Sequence, residues 1–215
     1  MHRARLTRIR LNLAHPAVRR DLADYVGLHK TLMRLATHDP GCPHPRRDAG
    51  LLFRLETDHK IPLLFVQTKD EPELDGLPRG YGATDTIDLT PVLQHLDTSM
   101  RVRYRITANA SVRTPAPHSA PASARRGPVI ALDGPDALAW WHRRATRAGL
   151  TLETATLQPR PYRRPRGAGP GPHHRLTQFD GTALITDAHA LAGALVHGIG
   201  RGLSYGAGLL SLAPA

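Results

Sequence analysis

The sequence holds one cysteine, Cys42, in 215 residues, which excludes an intrachain disulfide and any cysteine-built zinc or iron-sulfur site. Lysine is almost missing too: 3 stand beside 26 arginines. Together with 19 glycines and 19 prolines, an aromatic content of 5% indicates long loops around a modest core rather than disorder throughout. No segment reaches transmembrane length, and the opening "MHRARLTRIRLNLAHP" lacks the continuous apolar run of a signal peptide. A soluble cytoplasmic protein without membrane contact is therefore expected. There is no HExxH, Walker loop, DxD-like carboxylate pair or regular His/Cys cluster. Metal catalysis and nucleotide hydrolysis thus have little support, and neither a metal nor a cofactor is expected.

What is present is positive charge, a formal +11 carried by arginine. Guanidinium groups hold phosphate oxygens bidentately and stack on exposed bases, which fits a polyanionic partner. An arginine-rich genome would give part of the same signal. The length suits one large domain or two small ones.

Hydrophobic patterning favours two. Residues 4 to 13 alternate, with Ile9, Leu11 and Leu13 on one face and Arg8, Arg10 and Asn12 on the other, as in a half-buried strand. Residues 22 to 39, "LADYVGLHKTLMRLATHD", predict an amphipathic helix through Leu22, Val26, Leu28, Leu32, Met33 and Leu35, weakened early by Gly27. Runs at 51 to 56 and 61 to 68 predict a hairpin, and a weaker segment at 86 to 93, interrupted by Pro91, completes a first unit. Six acids between 70 and 88 form a patch that would repel phosphate and belongs on a face away from a polyanionic ligand.

The second unit opens with "RVRYRITAN" at 101 to 109, with Arg101, Arg103 and Arg105 opposite Val102, Tyr104 and Ile106. Residues 111 to 128 form a proline-interrupted basic segment. A helix follows at 134 to 149, with Leu138, Trp141 and Ala145 packing while Arg143, Arg144 and Arg147 reach solvent. Strands at 150 to 157 and 175 to 186, the latter bent near Gly181, a helix at 187 to 196 and a strand at 207 to 212 close the pattern. Both halves approximate βαββαβ, so the expected class is α+β, with two tandem ferredoxin-like (RRM-like) domains at 1–95 and 99–215.

Three features carry possible chemistry. His29 sits on a predicted helix with Tyr25 one turn earlier, placed to orient a 2'-oxygen or share the proton transfer, so both are candidate catalytic residues. Imidazole titrates near neutrality and can transfer protons when a 2'-hydroxyl attacks its neighbouring phosphate. The plainer reading is a half-exposed helical histidine, because Tyr-His pairs at i,i+4 have no intrinsic catalytic specificity. His38, His44, His118, His173 and His174 fall in loops, where solvated side chains are the expectation. Second, "VHGIGRGLSYGAGLLSLAP" at 196 to 214 places Gly198, Gly200 and Gly202 around Arg201. It suits a phosphate cradle and a tight turn equally. Third, "QPRPYRRPRGAGPGPHHR" at 158 to 175 surrounds Tyr162 with Arg160, Arg163, Arg164 and Arg166, suited either to phosphate contact or to nonspecific charge.

Taken together, "RLNL", "DLADYVGLHKTLMR", "LLFRLE", "LLFVQT", "LPRGYG", "VRYRITAN", "LAWWHRRATRAG", "FDGTALITD" and above all "ALVHGIGRGLSYGAGLLSLAP" resemble the type I-E CRISPR-associated crRNA-processing endoribonuclease family over almost the full chain. The resemblance implies two ferredoxin-like domains that bind the hairpin of a CRISPR repeat transcript. It implies a cut at the 3' base of the stem without metal, by attack of the ribose 2'-hydroxyl, leaving a cyclic phosphate and a 5'-hydroxyl. The mature guide RNA would stay bound and pass to the other Cascade subunits. The family histidine falls on His29 and its tyrosine most nearly on Tyr25. Here the chain departs from the pattern, since Val26 occupies the place three residues before the histidine. A second departure is Leu203, where relatives often carry lysine, which would shift a phosphate contact to Arg201 or the 158 to 175 loop. Arg103, Arg105, Arg143, Arg144 and the 160 to 166 arginines are the candidates for holding the stem by phosphate and shape, because the deep groove of A-form RNA is hard for side chains to read. Two rivals stand beside this reading: a catalytically silent hairpin-binding subunit of the same fold, and a structural or DNA-binding protein.

Overall fold

The computed structural model describes residues 2–36, 41–115, 127–164 and 174–215. Arg166, His38, His118 and His173 lie outside the described residues. The first unit comprises β1 (Arg5–Leu11), α1 (Pro16–Ala23), α2 (Tyr25–Leu32), α3 (Pro45–Asp48), β2 (Leu52–Glu56), β3 (Leu63–Thr68), β4 (Gly82–Asp88) and α4 (Thr90–Gln94). Its sheet is antiparallel with order β2-β3-β1-β4. The second comprises β5 (Arg101–Ala108), β6 (Ser111–Arg113), β7 (Val129–Ala131), α5 (Gly134–Arg147), β8 (Leu150–Leu152), β9 (Thr156–Arg160), β10 (Leu176–Ile185), α6 (Ala188–His197) and β11 (Leu210–Pro214). Here the order is β11-β5-β10-β8, with β9 also paired to β10. The two sheets carry the ferredoxin-like arrangement that the element pattern predicted. The β3 to β4 connection carries only a one-turn helix, Leu74–Gly76, in place of a second crossover helix.

Several elements differ locally from the sequence reading. The single helix over 22 to 39 is two helices, because Asp24 is extended (φ −143°, ψ 104°). Its carboxylate accepts from Val26 N at 3.0 Å, so it ends α1 and caps α2. Leu13 is exposed because β1 stops at Leu11. The expected strand at 150 to 157 breaks into β8 and β9, and β9 draws residues 158 to 160 out of the basic loop into the sheet. The last strand begins at Leu210, after the positive-φ Gly208. Ser111–Arg113, from the 111 to 128 segment, pairs as β6 with β7.

Each sheet carries a core, and Ala4 and Leu93 from the first unit pack into that of the second. Leu28, Leu32 and Leu35 bury against Ile9, Leu64 and Val66 of the first sheet. In the second, Trp141 stacks on Phe179 with ring centroids 5.7 Å apart and lies 5.5 Å from the Tyr104 ring. Burial of each such side chain contributes about 1.5–3 kcal/mol. The acidic residues 70 to 88 largely neutralise β1 and its approach: Arg5 pairs with Glu71 and Asp88, and Arg8 with Asp85.

A polar chain joins the two units. Buried Arg54 on β2 donates to Glu56, to Ser211 Oγ at 2.9 Å and to the Leu209 carbonyl at 3.2 Å. Arg105 on β5 reaches Glu56 at 3.3 Å and Asp180 at 2.6 Å. Gln178 then donates to Asp180 and accepts from Arg160, which clasps Asp58 in the β2–β3 turn of the first unit. Burial by itself would raise the Glu56 carboxyl, yet Arg54 and Arg105 outweigh it and hold it below the usual value.

Candidate active site and basic interface

His29 projects from the second turn of α2 into a groove of about 420 Å³ lined also by Met33, His44, Arg46, Arg47 and Ser204. Its Nδ1 is buried and has no hydrogen-bond partner. Burial, and secondarily the Arg46 charge, lower the imidazole from its usual 6.5 to about 4. At neutral pH the ring is therefore uncharged and able to accept a proton. Arg46 is held in place by donating to the Leu51 carbonyl at 2.8 Å, and Arg47 is exposed. A neutral base next to two cations is chemically suited to a reaction in which an oxyanion gains charge.

Ser204 reaches this groove because the glycine-rich loop between α6 and β11 wedges between the units. A Cβ on Gly198 (φ +79°) would meet Leu52 Cδ2 at 2.8 Å, and one on Gly208 (φ +88°) would overlap Leu203 Cδ2. The loop N–H groups of Gly198, Ile199, Tyr205 and Gly208 are all spent on protein carbonyls. These bonds and close contacts build the tight turn that the glycine spacing suits. Gly200 abuts Trp140, Gly202 lies beside Asn109 and His174, and Leu203 is half-buried with its Cδ2 against Gly198 and Gly208. Arg201 is exposed and bridges to Asn109.

Tyr25 is on the same helix as His29 but does not line its groove. It is 5% exposed, packed with Leu176 and Ala207 of the second unit and edge-on to Tyr162 at 5.6 Å. Its N–H donates to the Arg163 carbonyl at 3.2 Å, and burial raises its phenol above the usual value. Tyr162 in turn meets Tyr205 and His174. His174 stacks on Tyr205 at 4.5 Å, hydrogen-bonds Asn109 at 2.8 Å, and keeps a buried, unpartnered Nε2. Its pKa is lowered by burial, then by Arg164. The sequence placed His174 among solvated loop histidines; it is instead half-buried against the Tyr162 and Tyr205 rings. No local pattern signals this, since the partners come from separate segments.

Among the described residues, the candidate arginines do not form one surface. β5 sends Tyr104 beneath α5 and Arg103 and Arg105 to the opposite face of the sheet. There Arg103 donates to the Pro214 carbonyl, and Arg105 bridges Glu56 and Asp180. Arg160 is committed to Asp58 and Gln178. Arg143 is exposed, as is Arg147, a residue singled out only for reaching solvent. Arg144 lies over the Trp140 ring at 5.5 Å, and its pKa falls through burial and then the charges of Arg147, Arg201 and Arg143. The charges of Arg147, Arg201 and Arg143 thus lie within electrostatic reach of Arg144. Arg163 is exposed and Arg164 half-buried beside the aromatic cluster.

Two ferredoxin-like sheets, joined by a glycine-rich loop that closes one side of a histidine- and arginine-lined groove, define the class of molecule. A family model described as CRISPR associated protein matches residues 5–214. CRISPR-associated endoribonuclease Cse3 of Thermus thermophilus is 30% identical over 224 residues, covering 97% of this chain and 99% of its own. The solved structure of Thermus thermophilus Cse3 bound to an RNA representing a pre-cleavage complex superimposes with a TM-score of 0.80 at 28% identity, covering 99% of this chain and 100% of that one. A chain of a CRISPR RNA-guided surveillance complex matches with a TM-score of 0.66 at 34% identity, covering 98% and 100%. This chain belongs to the CRISPR-associated protein family, among its type I-E crRNA-processing Cascade subunits. Among the described residues no helix is long and apolar enough to cross a membrane.

Proposed function

We propose that this chain is an endoribonuclease that cuts CRISPR repeat transcripts at the 3' base of the stem-loop and keeps the mature crRNA within Cascade, working in the cytoplasm. The observation that carries the chemistry is His29: an uncharged imidazole in a groove with Arg46 and Arg47. In this mechanism His29 takes the proton of the 2'-hydroxyl as its oxygen attacks the adjacent phosphorus. The new O2'–P bond closes a 2',3'-cyclic phosphate, the P–O5' bond breaks, and the departing O5' leaves as a hydroxyl after gaining a proton. Arg46 and Arg47 offset the charge that builds on the phosphoryl oxygens. Holding the 2'-oxygen in line with the scissile bond supplies much of the acceleration.

In this reading Tyr25 is a positioning residue: through Tyr162 and Leu176 it seats the first turn of α2 against the second unit. Arg143, Arg144, Arg147 and Arg201 supply stem phosphate contacts, with Arg163 and Arg164 flanking them. Arg105 and Arg160 are assigned to holding the units, 1–95 and 99–215, in register. The test is incubation in EDTA with the cognate repeat RNA, beside the same RNA carrying one 2'-deoxy sugar immediately upstream of the cut. Cleavage of the all-ribose RNA alone, giving a cyclic phosphate and lost in His29→Ala, is the expected result. Tight hairpin binding without cleavage would instead identify a silent binding subunit.

A further inference from the structure

The groove at His29 does not end at His29. A cleft of about 1250 Å³ adjoins it, and His44, Arg46 and Arg47 line both. Beyond them the cleft runs between the units to Lys69, just past β3, and His197, the last residue of α6. Lys69 and His197 are exposed. Asp48 is the one carboxylate among the described lining residues, and Arg3 at the rim is paired with Asp70. A helix C-terminus beside such a cleft would ordinarily disfavour an anion. Here the Leu195 and Val196 carbonyls are both taken by Gln67 Nε2, at 3.0 and 3.2 Å, and the Ala194 carbonyl by Gly198 N–H. The cleft is thus a cationic channel with its opposing dipole satisfied.

We infer that this cleft binds the single-stranded RNA that continues past the scissile phosphate, away from the stem. The inference rests on the endonuclease reading. If the scissile phosphate sits at His29, the strand leaving it must run along a neighbouring surface, and the contiguous one is lined by Arg46, Arg47 and Lys69. Stem and flank would then be held by separate sets of cations, the arginines of α5 and Arg201 for the first and this cleft for the second.

Two RNAs test it, both with a 2'-deoxy sugar at the attacking position to block cutting: a hairpin ending one nucleotide past the cut, and the same hairpin extended by about six unpaired nucleotides, a length within the range that single-strand grooves accommodate. On the intact protein the extension is expected to tighten binding by about tenfold and to steepen the salt dependence by ~0.7 for each phosphate engaged. Lys69→Glu should erase that gain while leaving binding of the short hairpin, and cleavage of its all-ribose form, unchanged. Asp48→Asn should enlarge the gain. Equal affinity for short and extended RNA, or a gain that survives Lys69→Glu, overturns the cleft assignment while normal cutting of the short hairpin leaves the endonuclease reading intact. A protein that neither binds nor cuts the short hairpin overturns both.

Discussion

Arg160 on β9 donates through both terminal nitrogens to the two carboxylate oxygens of Asp58, a contact that spans the two units. Only 9% of the Arg160 side chain is exposed, against 51% for Asp58, so the guanidinium is held by structure rather than offered to a ligand.

Arg160→Ala should therefore act on stability. Removing one partner of this half-buried pair is expected to cost about 1–2 kcal/mol, less than a fully buried pair because Asp58 stays hydrated. Denaturant unfolding of the single and double variants with Asp58→Ala measures the coupling. A normal midpoint with a weakened salt dependence of RNA binding would return Arg160 to the phosphate contacts.

His29→Ala should abolish cleavage and leave hairpin affinity within about twofold, because the residue acts on the proton rather than on the stem. In the native protein the cleavage rate should rise with pH from its acid limit and level off above the His29 pKa, about 4 in the free chain. Bound phosphates would move that inflection upward. A rate that falls across the same range assigns His29 the acid role instead.

The same imidazole makes stability depend on pH. Its folded value, about 4, lies below the usual 6.5, so the unfolded chain binds the extra proton between them. Stability from this group is complete above pH 6.5 and is lost as pH falls toward 4, by on the order of 1–2 kcal/mol after allowing for its partial exposure. Comparing acid unfolding of the protein and of His29→Gln isolates the contribution. An identical pH dependence in both would contradict it.

Tyr25 separates two roles. As a positioning residue it predicts that Tyr25→Phe keeps the cleavage rate within a few-fold, since the ring contacts with Tyr162 and Leu176 survive. Tyr25→Ala should lose about 3 kcal/mol of stability. A folded Tyr25→Phe that binds hairpin normally but cuts hundreds of times more slowly would place the phenol in the chemistry.

For the stem, Arg143→Ala and Arg201→Ala should each weaken hairpin binding without changing sequence preference and should lower the salt slope by about one unit at most. Filter binding across a salt series reads both quantities. Unchanged slopes in both variants would move the stem off this surface.

The amino-acid pattern alone determined much of the architecture. Alternation in "RVRYRITAN" set which side of β5 is buried, and the period of "DALAWWHRRATRAG" put Trp141 and Ala145 in the core, because strand and helix periodicities are local consequences of side-chain direction; Leu138, read with them, is only half-buried, while Ala137 and Trp140 are buried. Residue type and resemblance also marked His29 as the candidate base. What the pattern left undecided depends on distant segments. Asp24 reads as one more helical residue in the sequence, whereas in the fold its carboxylate caps α2. Arg105 and Arg160 looked like their exposed neighbours, but Glu56, Asp180 and Asp58 come from elsewhere in the chain to occupy them. Tyr25 and His29 share a helix, yet the docking of the second unit buries one and leaves the other at a groove. Charge and periodicity are properties of a sequence; which charges are neutralised, and which histidine is desolvated, follow from what the fold places within a few ångströms.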